Sequence, residues 1–309
     1  YTIIYFGNII SNNPQFFHCI TALVYFYVFL KLLGSIFDEN RNNLKNFSGV
    51  FFLGLVFIMG FSGGINGVRW PLALMVFLYG AINILTQNKI KYLLISSISI
   101  LIHFSLYPAV IILVLYNYVP ILKRQKLLIL FAFLTLILGS LFSNLIFSNV
   151  ASFGQIAENK LLDYTGDGYI EKRNESSSGW NFYVPISRFG NYFFACFILF
   201  IMYFKQKKLI RNNKTNQLFA FALLMASISF IANSIVDLST NRYTLIVSFL
   251  IFTYLIYISN LNRKSRTIKL LSYAYTPILI LKIFLIFRVE WKTFSIEVIS
   301  NPILAYFLT

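Results

Sequence analysis

Residues 92–119 read YLLISSISILIHFSLYPAVIILVLYNYV, with His103 near the middle and Pro108 five residues further on. The stretch contains no Asp, Glu, Lys or Arg. Basic residues flank it on both sides: Lys89 and Lys91 before, Lys123, Arg124 and Lys126 after. A membrane-spanning helix needs about 20 apolar residues. These 28 residues are therefore too few for two full crossings joined by a turn. Basic loops stay on the cytoplasmic side, so both ends of the stretch belong in the cytoplasm, which one crossing cannot satisfy. Two half-length helices of about twelve residues each satisfy it, entering the membrane and returning, with a turn near residues 102–108. Pro108 disfavours helical geometry just before it. Non-helical backbone at membrane depth is tolerated where it is buried in protein or lines a wet cavity. One long kinked helix is the alternative.

The rest of the chain has the same character. Of 309 residues, 58% are hydrophobic, 18% aromatic and only 12% charged, and the mean hydropathy is +0.72. A soluble domain carries about 25% charged residues, so a soluble enzyme, a disordered tail and a fibrous protein are excluded. Further apolar runs cover residues 16–37, 47–61, 72–85, 127–147, 186–204, 218–236, 243–259 and 270–287. The chain thus reads as an all-α polytopic membrane protein with about 9–10 transmembrane or re-entrant helical segments. It is one integral membrane domain over residues 1–309, with a single long polar loop at 148–185. Its first residue is Tyr1 and its last run is apolar, so both ends look cut. Cys19 and Cys196 lie in apolar runs and read as buried thiols. His18 and His103 are the only histidines, which excludes a His-rich metal site.

The net charge of +16 would suggest nucleic acid in a soluble protein. Here five short loops hold 16 of the 26 basic residues: 38–46, 86–91, 120–126, 205–216 and 260–269. The excess therefore orients the chain, with these loops cytoplasmic, and no nucleic-acid partner is expected. Asp38 and Glu39 are the only acids among them. The other eight lie in the 148–185 loop or at Asp237, Glu290 and Glu297, in segments placed outside.

Polar residues that remain near the membrane are functional suspects. Residues 60–74 read GFSGGINGVRWPLAL. Their glycines leave backbone open beside Asn66 and Arg69, and Pro71 suits the first turn of a helix. A guanidinium at a helix N-terminus favours an anion, above all a phosphate; an Arg snorkelling to headgroups is the plainer reading. His103 and Ser105 stand at the proposed turn, where a hydrogen-bonded packing His is the alternative. Asp237 and Arg242, in DLSTNR, could pair at the surface for little net energy or serve as an acid and a cation at a cavity mouth. The 148–185 loop combines Asp163 and Asp167 with Tyr169 and Trp180. Carboxylates and flat rings suit saccharides, although a solvated loop is also possible; loops this long are uncommon unless functional or disordered.

The stretch VRWPLAL at 68–74, followed by HFSLYPA at 103–109, resembles the EpsG-type, Wzy-like bacterial polysaccharide polymerases. The family pattern has an Arg opening a span with an Ala four residues on (here Arg69 and Ala73), a short basic turn (88–91), then His-x-Ser opening another apolar run. Arg242-Tyr243 matches its later Arg–aromatic pair. The resemblance covers about residues 16–259. Two features depart from the pattern: the Gly-Thr-Asp upstream of the first span is missing, and Pro71 stands where Gly is common.

The resemblance implies a glycosyltransferase of the bacterial plasma membrane, of the kind serving O-antigen, capsule and exopolysaccharide synthesis. It would join undecaprenyl-diphosphate-linked oligosaccharide units on the outer face, without a cofactor or metal. Membrane lipids, chain-length regulators and flippases are the implied partners. On that basis Arg69 and Arg242 are the expected cations for the diphosphate. His103 and Asp237 are the candidate bases, and His103 could instead bond a diphosphate oxygen. Asn66, Ser105, Asp163, Asp167, Tyr169 and Trp180 would bind substrate. The rival classes are a transporter or flippase of lipid-linked saccharides, a membrane O-acyltransferase and a purely structural subunit.

Overall fold

The computed structural model describes residues 14–58, 69–150, 183–209, 213–235, 243–262 and 265–293. All described elements are helical. They are α1 (Pro14–Asp38), α2 (Phe47–Val56), α3 (Arg69–Gln87), α4 (Lys91–Ile102), a 3₁₀ turn (Phe104–Leu106), α5 (Tyr107–Tyr118), a second 3₁₀ turn (Pro120–Lys123), α6 (Gln125–Val150), α7 (Tyr183–Leu209), α8 (Asn213–Ile235), α9 (Tyr243–Leu261) and α10 (Arg266–Thr293). Among the described residues, four helices are long and apolar enough to cross a membrane: Trp70–Gln87, Lys214–Ala232, Tyr243–Leu261 and Arg266–Phe287. The all-α polytopic membrane architecture read from the sequence is what the chain adopts.

The quoted stretch is broken where the charge argument requires. α4 and α5 are twelve residues each, about 18 Å apiece at 1.5 Å per residue. Neither reaches across a hydrocarbon core of about 30 Å. At the borders of the expected 148–185 loop, α6 runs on to Val150 and α7 begins at Tyr183; residues 151–182 lie outside the described residues.

The chain forms two compact units. The first comprises residues up to Ile111 together with those from Ser265 onward. Its centre is a tight antiparallel hairpin of α3 and α4. Asn88 ends α3 with φ 55°, a left-handed conformation that Asn tolerates better than most residues. Gly80 is the closest point of the hairpin. A Cβ there would collide with the side chain of Ser96 and lie 2.6 Å from the Ser96 backbone nitrogen. Ser96 Oγ donates across the interface to the Phe77 carbonyl at 3.1 Å. Small residues permit such an approach, and a hydroxyl gives it direction. Tyr79 and Tyr92 meet edge to face beside it. The buried polar residues of α3 are satisfied within the helix: Asn83 donates to Tyr79 O and Thr86 to Ile82 O. α1 packs on α3, and α2 packs on α10.

The second unit, Ile112–Lys264, is built around α8 and α9. α9 is buried on every side from Ile246 to Ser259, as expected of a helix that is apolar all round. α8 packs between α6 and α9. Gln125 at the start of α6 bonds Asn216 O near the start of α8, and Tyr116 near the end of α5 donates to Gln217 O at 3.1 Å. Phe219 of α8 meets Tyr254 of α9, 5.1 Å between centroids. The end of α5, the starts of α6 and α8 and the end of α9 therefore share one end of this unit, the end bordered by basic loops. At the opposite end Ser229 of α8 donates to Tyr192 Oη of α7 at 3.0 Å. α6 turns Leu130, Phe133, Leu136 and Ile137 outward, a lipid-facing surface rather than an exposed core.

Candidate active site

The break between α4 and α5 is made by His103. Its backbone is extended, φ −150° and ψ 112°, after Ile102 closes α4 with the His103 N–H donating to Ser99 O at 2.9 Å. The His103 side chain then caps the 3₁₀ turn: the Ser105 N–H donates to Nδ1 at 3.2 Å, and Ser105 Oγ lies 2.8 Å from the same nitrogen. Leu106 N–H closes the turn on His103 O at 3.2 Å. Pro108 follows in the first turn of α5, where its missing N–H disturbs no helical bond.

This geometry sets the tautomer. A nitrogen that accepts from a backbone N–H carries no proton of its own, so in the neutral ring the proton sits on Nε2. With that tautomer the Ser105 hydroxyl, 2.8 Å away, shares the Nδ1 lone pair with the backbone N–H. His103 in this arrangement is thus a hydrogen-bond donor through Nε2–H. Beside it, the rings of Phe104 and Tyr107 stack nearly parallel, 5.5 Å apart, with Phe104 72% exposed.

The hairpin brings a second predicted element to the same level. Ser96 sits against Phe77, and the helices run antiparallel at the same rise per residue. Seven residues on from Ser96 is His103; seven back from Phe77 is Trp70. The 3₁₀ turn at Phe104–Leu106 accordingly packs on α3. Arg69, the first residue of α3, therefore starts its helix level with the His103–Ser105 turn. Pro71 is buried just after it, and Leu72, Ala73 and Leu74 pack into the core. The N–H groups of this first turn form the electropositive end of the α3 dipole.

The remaining expected site residues, Asn66, Asp163, Asp167, Tyr169, Trp180, Asp237 and Arg242, lie outside the described residues. In the second unit, the end of α8 and the start of α9 border 236–242, and the end of α6 and the start of α7 border 151–182. These four helix termini are at the end of that unit opposite its basic loops. One buried polar residue escaped the sequence reading. Lys282, in the middle of α10, is 7% exposed and donates from Nζ to Ile58 O at 3.1 Å. A lone Lys inside an otherwise uncharged apolar run was the available signal.

The fold defines an all-α polytopic membrane protein, with an Arg-opened helix set beside a His-x-Ser break. More specifically, residues 1–306 match the EpsG family, and the chain belongs to that family of Wzy-like polysaccharide polymerases. No curated protein and no solved structure shows significant similarity to it.

Proposed function

We propose that the protein polymerises undecaprenyl-diphosphate-linked oligosaccharide repeat units on the outer face of the bacterial plasma membrane. Family membership supports a polysaccharide polymerase in general. The observation that carries the finer reading is the hairpin that sets the start of α3, with Arg69, level with His103 and Ser105.

In this reaction the acceptor hydroxyl attacks the anomeric carbon of the donor sugar. The bond from that carbon to the diphosphate oxygen breaks, and the lipid diphosphate leaves with the electron pair. The proton of the acceptor goes to a base. The free energy resides in the diphosphate ester, so no nucleotide is consumed. Arg69 and Arg242 stabilise charge on the departing diphosphate. His103, donating through Nε2–H, adds a hydrogen bond to a diphosphate oxygen, which leaves Asp237 as the base. Asp163, Asp167, Tyr169 and Trp180 hold the saccharide, with Asn66 and Ser105 nearer the reacting end. The basic loops keep their side of the chain in the cytoplasm and the acidic loop outside. Chain-length regulators and flippases are its natural partners.

Purified protein supplied with a lipid-diphosphate oligosaccharide tests the reading. A polymerase yields a ladder of products. A transporter yields none, and instead moves the lipid across a vesicle membrane.

A further inference from the structure

The polymerase reading does not use Lys282, yet a lysine buried in a membrane-spanning helix is costly and calls for a role. Its partner defines that role. α2 is ten residues long, about 15 Å, too short to cross a bilayer core of about 30 Å. The last carbonyls of a helix have no partner inside it, and Ile58 is buried, where an unpaired carbonyl is costly. Phe57 N–H and Ile58 N–H wind a final turn onto Leu53 O and Leu55 O. Lys282 Nζ then satisfies the Ile58 carbonyl. Among the described residues this is the one partner of Nζ.

The contact belongs to a built interface. Phe51 of α2 stacks on Tyr275 of α10, 6.4 Å between centroids. Seven residues further along both helices, Ile58 meets Lys282. The two helices therefore run parallel in fixed register, and Lys282 closes the interface at the point where α2 stops. The chain continues from Ile58 through the glycine-rich residues 59–68 to Arg69 at the head of α3.

We infer that Lys282 is a positioning residue: it anchors the broken end of α2 and so fixes where the segment leading to Arg69 begins. The catalytic consequence rests on the polymerase reading; the anchor itself does not.

Two measurements on the full-length protein test this. The first is hydrogen exchange of the amides at 53–58. Lys282→Met keeps the apolar stem but removes the donor, and is expected to raise exchange there by about tenfold; Lys282→Arg, which keeps a donor, restores protection. Lys282→Leu, which also lacks a donor, serves as the second variant if the Met form does not insert. Unchanged exchange in the Met or Leu form overturns the anchor. The second is polymerisation in a double-mutant cycle with Arg69→Lys. Lys282→Met is expected to lower kcat/KM about tenfold in the wild-type background and much less in the Arg69→Lys background, because both changes disturb one unit. Equal losses in the two backgrounds overturn the coupling. Absence of a ladder from the wild type overturns the polymerase reading and the catalytic consequence together, while the exchange measurement still decides the anchor.

Discussion

Ser96 Oγ reaches the Phe77 carbonyl across the α3–α4 hairpin at 3.1 Å, at the point where Gly80 lets the two backbones touch. This contact sets how far along α3 the His103 break falls. Gly80→Ala has no room: the added methyl meets the Ser96 side chain and backbone. Overpacking of this kind costs about 1–3 kcal/mol, and here it also spreads the hairpin that aligns His103 with the head of α3. The expected result is a protein with a lowered Tm and reduced polymer per folded molecule. Ser96→Ala, which loses a hydrogen bond worth about 0.6 kcal/mol between membrane helices, should be far milder. Thermal melts in detergent and product ladders check both.

Substitutions at His103 separate its two nitrogens. Asn can place an acceptor near Nδ1 and keep the cap on Ser105 N–H, but it lacks the Nε2–H donor. Gln can place a donor near Nε2 at the expense of the cap, whose loss costs about 1 kcal/mol. His103→Asn is expected to insert and melt as the wild type and to lose activity by roughly 10²-fold, the scale of one lost donor to developing negative charge. His103→Gln should be less stable yet retain more activity. Full activity in His103→Asn would show that the histidine serves only to cap the turn.

Arg69→Ala and Arg242→Ala should insert normally and make no polymer. Arg69→Lys keeps the charge but not the planar fork that pairs two phosphate oxygens, so partial activity with a raised KM for the lipid-linked donor is the expected outcome. Polymer analysis in cells, with membrane protein quantified by blot, reads both effects. Full-length polymer from Arg69→Ala would remove Arg69 from the diphosphate site.

Asp237→Asn tests the division of labour between acid and histidine. Loss of a general base costs about 10²–10⁴-fold in rate and should leave binding of the lipid diphosphate intact. His103→Asn should weaken that binding as well. Equilibrium binding of undecaprenyl diphosphate to the two variants distinguishes them; an Asp237→Asn protein that turns over normally would return the base role to His103.

The break in the 92–119 stretch was legible because a local signal agreed with a global one. His103 and Ser105 are polar in an apolar run, and basic loops at both ends argue against a single crossing. Pro108, expected to disfavour helix before it, in fact follows a helical Tyr107, and the extended residue is His103. The register of the hairpin was not legible. Gly80 is one glycine in an apolar run, and its meaning depends on Ser96, which becomes its neighbour only when the chain turns at Asn88. Lys282 was overlooked for a related reason. It lies outside the five basic loops that orient the chain, inside the 270–287 apolar run, and the carbonyl that explains it belongs to Ile58, more than two hundred positions earlier. The short length of α2 was visible in the 47–61 run, but the need of its cut end for a donor appears only once α10 lies beside it.

The central claim is transfer of a growing saccharide with release of its lipid diphosphate. The most direct measurement is the stoichiometry of that exchange in vesicles containing the purified protein and a lipid-diphosphate oligosaccharide. The account predicts one lipid diphosphate released for each repeat unit added, with both signals abolished in Arg69→Ala. Growth without release, release without growth, or movement of intact lipid-linked substrate with neither, would contradict it.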